Sequence, residues 1–326
     1  MSESLAEKEY QFALRTARDD AIPAGERAEM LMEIALGLQR RPRRPEDLAQ
    51  INRLYKEGLQ ICPGGDSLLR ARLLAGQATA LLATPGDTRV LEEAVDCLRS
   101  AWPVLQALGN AEEAAEAEMN EGLALQGLAV AGKAQFPDAV RKYHSALRVF
   151  TADKFPREYA ILHNNLATAY LSMTMGDESS RMREALAVQS YESALRAITL
   201  DAHPAEYAML QNNLGNALQY SSSAHPVENN LRALEAYQEA LRVRTPKERP
   251  GEYANTISNM ANALRNLPDD PEKPELGNIR NLGEAVRLYE AADKIFTATG
   301  ESEKSGLVRV ALEETQALVC EQGSVH

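Results

Sequence analysis

Three segments of this chain begin alike: "FPREYAILHNNLATAYL" (155–171), "HPAEYAMLQNNLGNALQ" (203–219) and "RPGEYANTISNMANALR" (249–265). Each carries a proline, Pro156, Pro204 or Pro250, followed two residues later by Glu158, Glu206 or Glu252. A proline in the first turn of a helix gives up no hydrogen bond, and a carboxylate there meets the positive end of the helix dipole. These are three copies of one helix start. A second motif alternates with them: "AVRKYHSALRVF" (139–150), "AVQSYESALRAI" (187–198), "ALEAYQEALRVR" (233–244) and "AVRLYEAADKIF" (285–296). Its small and apolar residues fall on a single helical stripe. The step from Tyr143 to Tyr159, Tyr191 to Tyr207 and Tyr237 to Tyr253 is always 16 residues, so the connection between hairpins is constant. Length varies only inside the hairpins, in "SMTMGDESSRM", "SSSAHPVEN" and "NLPDDPEKPELGNI". A hairpin of this kind cannot bury its stripe alone, so the repetition demands a stack.

Fainter copies extend the pattern toward the N-terminus. "LEEAVDCLRSAWPVL" (91–105) aligns with "LGEAVRLYEAADKIF" (282–296) at Ala94, Val95 and Ala101, and "INRLYKEGLQI" (51–61) is weaker still. Six helical hairpins follow, at about 26–62, 66–108, 111–151, 156–199, 204–245 and 250–299, with more than one register open to the first helix of the third. Residues 302–320 form a last helix that covers the end of the stack, and 2–20 can do the same at the other end. The expected fold is all-α, one solenoid domain over 1–326 with terminal capping helices.

Composition agrees. Hydrophobic residues make up 44% and aromatics only 5%, so alanine and leucine must do most of the packing, which favours helices. The net charge of −12 argues against nucleic acid or an anionic membrane as partner, because either needs a basic face. The contrary run, "RRPRR" at Arg40 to Arg44, reads as a solvated turn whose prolines Pro42 and Pro45 block a helix. Cys62, Cys97 and Cys320 sit far apart within apolar helical patterns and read as core thiols of a reducing compartment. With no apolar run of signal-peptide or membrane-spanning length, a cytoplasmic location is expected.

The pairing of "NNLGNAL" or "NNLATAY" in one helix with Ala, Tyr and Ala in the next resembles the tetratricopeptide repeat, most strictly in hairpins four to six and most faintly in hairpin one. The period of 45 to 52 residues exceeds the usual 34 of that family. It is similar to the long-repeat arrays of kinesin light chains and of bacterial proteins carrying a caspase-like CHAT protease domain. The resemblance implies a right-handed superhelix whose concave groove is lined by first helices and binds a protein or peptide.

A helical wheel tests where the asparagines of these first helices point. With Asn212 at zero, Met209, Asn213, Asn216, Gln219 and Tyr220 fall between about −20° and 100°, opposite Leu210, Leu214 and Leu218. The sixth hairpin groups Asn255, Ser258, Asn259, Asn262, Arg265 and Asn266, and the fourth groups Ile161, Asn164, Asn165, Thr168, Leu171 and Ser172. By the tetratricopeptide resemblance this is the groove face, along which Asn165, Asn213 and Asn259 form a ladder. An amide can pair with both the N–H and the C=O of an extended peptide; it can equally bond a neighbouring repeat and fix the stacking. Both readings stand on sequence alone. Ile161, Leu171, Met209 and Tyr220 are apolar pocket candidates, and Arg265 suits an acidic group. Arg148, Arg196, Arg242 and Lys294, each five residues after a repeat tyrosine, are expected to pair with Glu158, Glu206 and Glu252.

No catalytic constellation emerges. The five histidines lack metal-ligand spacing, "AGKAQ" around Lys133 lacks the flanking residues of a phosphate loop, and there is no G-x-S-x-G. The expectation is a non-enzymatic scaffold or adaptor with no cofactor or metal. The alternative is an assembly or maturation chaperone for a subunit of a multisubunit enzyme.

Overall fold

A computed structural model describes residues 5–40, 45–84, 87–173, 177–222 and 225–323; residues 41–44 of the basic run lie outside the described residues. The described chain is all-helical, with fourteen α-helices and no strand. They are α1 (Leu5–Ala17), α2 (Ala24–Arg40), α3 (Pro45–Ile61), α4 (Ser67–Leu82), α5 (Thr88–Leu108), α6 (Ala111–Val130), α7 (Phe136–Ala146), α8 (Pro156–Ser172), α9 (Asp177–Ala197), α10 (Pro204–Gln219), α11 (Pro226–Leu241), α12 (Pro250–Arg265), α13 (Ile279–Thr299) and α14 (Ser302–Gly323). They fall into two compact units, Met1–Thr151 and Ala152–His326.

The helix starts have a local cause. Phe155, His203 and Arg249 share nothing chemically, yet all three adopt φ −138° with ψ of 61° or 62°. Each precedes the proline that opens α8, α10 or α12, and the proline ring forbids the α conformation to the residue before it. Where that device is missing, side chains cap the helix: Asp66 accepts from Leu69 N, and Asn110 and Glu113 form a reciprocal capping box.

Within each unit the helices pack in sequence order. In the first, α2 packs with α3, α4 with α5 and α6 with α7, and the first helices also touch directly, α2 with α4 and α4 with α6. In the second, α8 pairs with α9, α10 with α11 and α12 with α13, while α10 touches both α8 and α12. First helices are therefore the inner layer of each stack, and the second helices fan outward. At the chain ends α1 lays Leu14 and Ala17 against Ala28 and Leu31, and Arg18 clamps Glu57 with two hydrogen bonds of 2.8 Å. Helix α14 packs Val308 on the Tyr289 and Phe296 cluster.

The repeat tyrosines are the largest buried side chains, with Tyr55, Tyr143, Tyr237 and Tyr289 all essentially inaccessible. Three of them explain a glycine, the first being Gly76, on which a Cβ would lie 2.4 Å from Tyr55 Cε1. A Cβ on Gly122 would lie 2.6 Å from Tyr143 Cε1, and one on Gly215 would lie 2.4 Å from Tyr237 Cε1. Gly122 thus occupies in α6 the place of Gly215 in α10, which sets the register of the third hairpin. The hydroxyls stay protonated, because burial pushes the phenols of Tyr55, Tyr143 and Tyr237 well above their ordinary range. Each donates to a first helix: Tyr55 to Gln39 (3.0 Å), Tyr143 to Gln126 (2.8 Å), Tyr237 to Asn216 (2.7 Å) and Tyr289 to Asn262.

Two sequence expectations are corrected. Arg242 pairs with Glu239 at 2.7 Å and Arg196 donates to Ser193, each three residues earlier, because these neighbours on the same helix face lie closer than the next helix start. Glu206 is held instead by Arg157 of α8, and Glu252 by Arg244 and Arg249. Of the cysteines only Cys62 is buried; Cys97 is half-buried and Cys320, near the end of α14, is exposed.

Candidate functional site

The asparagines of the second unit engage one another. Asn259 Nδ2 donates to Asn212 Oδ1 (3.3 Å), Asn212 Nδ2 to Asn213 Oδ1 (3.5 Å), Asn213 Nδ2 to Asn164 Oδ1 (2.9 Å), and Asn164 Nδ2 to Asn165 Oδ1 (3.3 Å). The amides form a relay from α12 through α10 to α8. Asn212, 7% exposed, is its centre; its oxygen also accepts from Thr256 Oγ1 (3.1 Å), which accepts from the buried Arg244 (2.9 Å). Desolvation lowers the Arg244 pKa despite the nearby Glu252 carboxylate. These bonds fix one first helix against the next, while Asn213 and Asn259 each use only one of their two amide N–H groups in the relay.

The other sequence candidates separate into three groups. Asn216 and Asn262 accept from repeat tyrosines, Thr168 lies 3.4 Å from the Tyr191 hydroxyl, and Ser258 turns back to the Ala254 carbonyl. Met209 packs partly on the core, Arg265 is drawn to Glu314 of α14 (3.2 Å), Asn266 bonds the Asn262 carbonyl at the helix end, and Ile161 and Asn255 are half-buried. Leu171 and Tyr220 remain open, 43% and 67% exposed. They share with Tyr170, Arg183, Glu184 and Asn216 a cavity of about 350 Å³ at the C-terminal ends of α8 and α10.

The first unit holds a larger concavity that no sequence reading singled out. About 570 Å³ opens between α2, α4 and α6, lined by Glu33, Gln39, Tyr55, Thr79 and Asn120 among others. Arg72 of α4 and Glu113 of α6 pair across one wall at 2.7 Å, and Asn120 Nδ2 donates to Thr79 Oγ1 at 3.1 Å. Asn120 stands two residues before Gly122, as Asn213 stands two before Gly215, so one inter-repeat amide position serves both units. Aligning the glycines, not the Asn pairs, is the signal that finds it.

Behind this wall Glu121, 2% exposed, is bridged by Arg99 of α5 (3.0 Å) and Lys142 of α7 (2.7 Å), so a buried carboxylate ties hairpins two and three. Among the described residues no group of His, Cys, Asp or Glu could hold a metal ion, and no helix is long and apolar enough to cross a membrane. What the faces offer is binding chemistry: exposed apolar side chains beside carboxylates and amides on a rigid helical layer.

No protein-family model and no curated protein matches the chain. Among solved structures, a Rap protein crystallised with competence and sporulation factor is similar, with 14% identity and a TM-score of 0.43 over 99% of this chain and 90% of that one.

Proposed function

We propose that the chain is a non-enzymatic, tetratricopeptide-type interaction scaffold that holds a segment of a partner protein against its first helices. The observation that carries this reading is the placement of the cavities: in each unit a concavity opens against the first helices, about 570 Å³ between α2, α4 and α6 in one and about 350 Å³ between the ends of α8 and α10 and the start of α9 in the other. Both volumes lie in the range of pockets that take side chains or small ligands. The amide relay supports the reading indirectly, since a layer already locked by its own hydrogen bonds loses little entropy when a guest arrives.

Energetics favour a segment with several anchoring side chains. A micromolar complex needs about 8 kcal/mol, and fully burying one large apolar side chain supplies about 1.5–3 kcal/mol. Leu171 and Tyr220 can cover part of that, so contacts beyond the 350 Å³ cavity must contribute. We place the protein in the reducing cytoplasm, consistent with three cysteines that form no disulfide.

The reading is tested by photo-crosslinking in native cells with p-benzoylphenylalanine at Tyr220, on the cavity, and at Gln238, exposed on the second helix α11. The expected result is one dominant protein adduct from Tyr220 and none from Gln238. Adducts from Gln238 alone would remove the first-helix face as the site.

A further inference from the structure

The open acceptors of the first unit define what its cavity can bind. Its interior donors are largely engaged: Tyr55 to Gln39, Thr79 to the Ala75 carbonyl, Asn120 Nδ2 to Thr79, and Arg72 to Glu113. Acceptors remain. Asn120 is 8% exposed and lines the cavity, and no described residue donates to its Oδ1. Glu29 and Glu33, exposed along α2, make no ion pair among the described residues. With Arg72 matched to Glu113, Glu29 and Glu33 line the cavity together with Arg40.

Beyond the same two glutamates lies a second concavity. A trough of about 520 Å³ between α1 and α2 is lined by Phe12, Ala13, Met30 and Ile34, and it shares Glu29 and Glu33 with the first. Phe12 is 72% exposed, whereas Tyr10 on the same helix is partly buried against the core. An apolar trough and an acceptor-lined cavity therefore flank one acidic ridge, and the chain's net charge of −12 adds a long-range pull on cations.

Building on the scaffold reading above, we infer that the first unit docks a basic segment of a partner protein, with an apolar side chain in the α1–α2 trough and an adjacent arginine or lysine reaching the Glu29–Glu33–Asn120 acceptors. Arginine fits best, because a guanidinium carries five donors in a fixed fork and can bond a carboxylate and an amide oxygen at once. The guest is defined by donors and positive charge next to a hydrophobic residue.

The test is selection of a random twelve-residue peptide library displayed on phage against the full chain, followed by fluorescence polarisation with the labelled consensus peptide. The expected consensus places arginine or lysine within four residues of leucine, phenylalanine or methionine. The E29Q/E33Q variant, isosteric and on an exposed face, should bind that peptide at least tenfold more weakly at 50 mM salt, with the gap narrowing at 500 mM, and F12S at least threefold more weakly. An acidic or neutral consensus, or a basic one that binds E29Q/E33Q like wild type, overturns the inference while leaving the scaffold reading standing, because a peptide is still bound. Sedimentation supplies the other arm: a dimer that F12S converts to monomer would assign the trough to a second copy and overturn it too. Failure of the scaffold reading looks different, with no peptide enriched and no adduct at Tyr220.

Discussion

Replacing Asn212 by alanine probes whether the amide relay holds one hairpin to the next. Asn212 makes three inter-residue bonds, but they are not equal. The 3.5 Å bond to Asn213 is at the limit of hydrogen bonding, and Thr256 keeps the Glu252 carbonyl as an alternative acceptor at 3.0 Å. The bond from Asn259 has no such substitute, and the Thr256 bond adds part of another. At about 1 kcal/mol net per bond plus the penalty for an amide left short of an acceptor, the loss is about 2–3 kcal/mol. Alanine returns up to about 0.7 kcal/mol as the better helix former. The net expectation is destabilisation by about 1–2 kcal/mol. Urea unfolding followed by circular dichroism should show it as a lower midpoint. Because repeat arrays can lose cooperativity, hydrogen exchange in α12 should show the same local loss. A double-mutant cycle with Asn259→Ala should give a coupling of about 0.5–1 kcal/mol, and Gln238→Ala, exposed on α11, should stay within about 0.5 kcal/mol of wild type. A midpoint at or above wild type with no coupling would refute the structural role of the relay.

Other perturbations have equally definite outcomes. Gly215→Ala forces a Cβ to within 2.4 Å of the buried Tyr237 ring and should destabilise by about 1–2 kcal/mol net of the alanine propensity gain, whereas Gly37→Ala, with nothing within 4 Å, should stabilise by about 0.5–1 kcal/mol; chemical denaturation measures both. Glu121→Gln removes the charge that Arg99 and Lys142 share, and since those partners are partly exposed the loss should be about 2 kcal/mol, read as a lower melting temperature. The Arg18 hydrogen bond holds the Glu57 carboxyl below its usual value, so the clamp on α1 is fully present above about pH 4.3 and is lost as pH falls through the depressed pKa. Hydrogen exchange in α1 should therefore quicken selectively below that pH, and Arg18→Ala should abolish the pH dependence.

The fold is legible in the sequence because its signals are local and repeated. Pro156, Pro204 and Pro250 mark helix starts by covalent geometry, and the recurring tyrosines mark second helices by the apolar stripe around them. Side-chain partners depend instead on distances between helices, which no spacing along the chain reports. The wheel correctly sets Asn213 and Asn259 off the main apolar face, but it cannot show that Asn164 and Asn212 stand within hydrogen-bond reach of them. It likewise places Met209 and Arg265 on the open face, where the core and Glu314 claim them. The first-unit cavity escapes notice because α2 and α4 lack the Asn pair, and only the Gly122–Tyr143 contact reveals that Asn120 is its counterpart. Arg196 and Arg242 mislead for the same reason: a polar group three residues earlier, the Ser193 hydroxyl or the Glu239 carboxylate, lies closer than the carboxylate at the next helix start.

The proposed function places a partner protein on the first helices. Hydroxyl-radical footprinting of the chain, alone and with its captured partner, tests it most directly, because Tyr220 and Leu171 at the first-helix ends of the second unit, Phe12 in the α1–α2 trough of the first, and Leu231 on α11 and Leu307 on α14 are all exposed enough to oxidise. The partner should slow oxidation at Tyr220, Leu171 and Phe12 and leave Leu231 and Leu307 unchanged. Protection of Leu231 and Leu307, with Tyr220, Leu171 and Phe12 oxidised at their original rates, would contradict it.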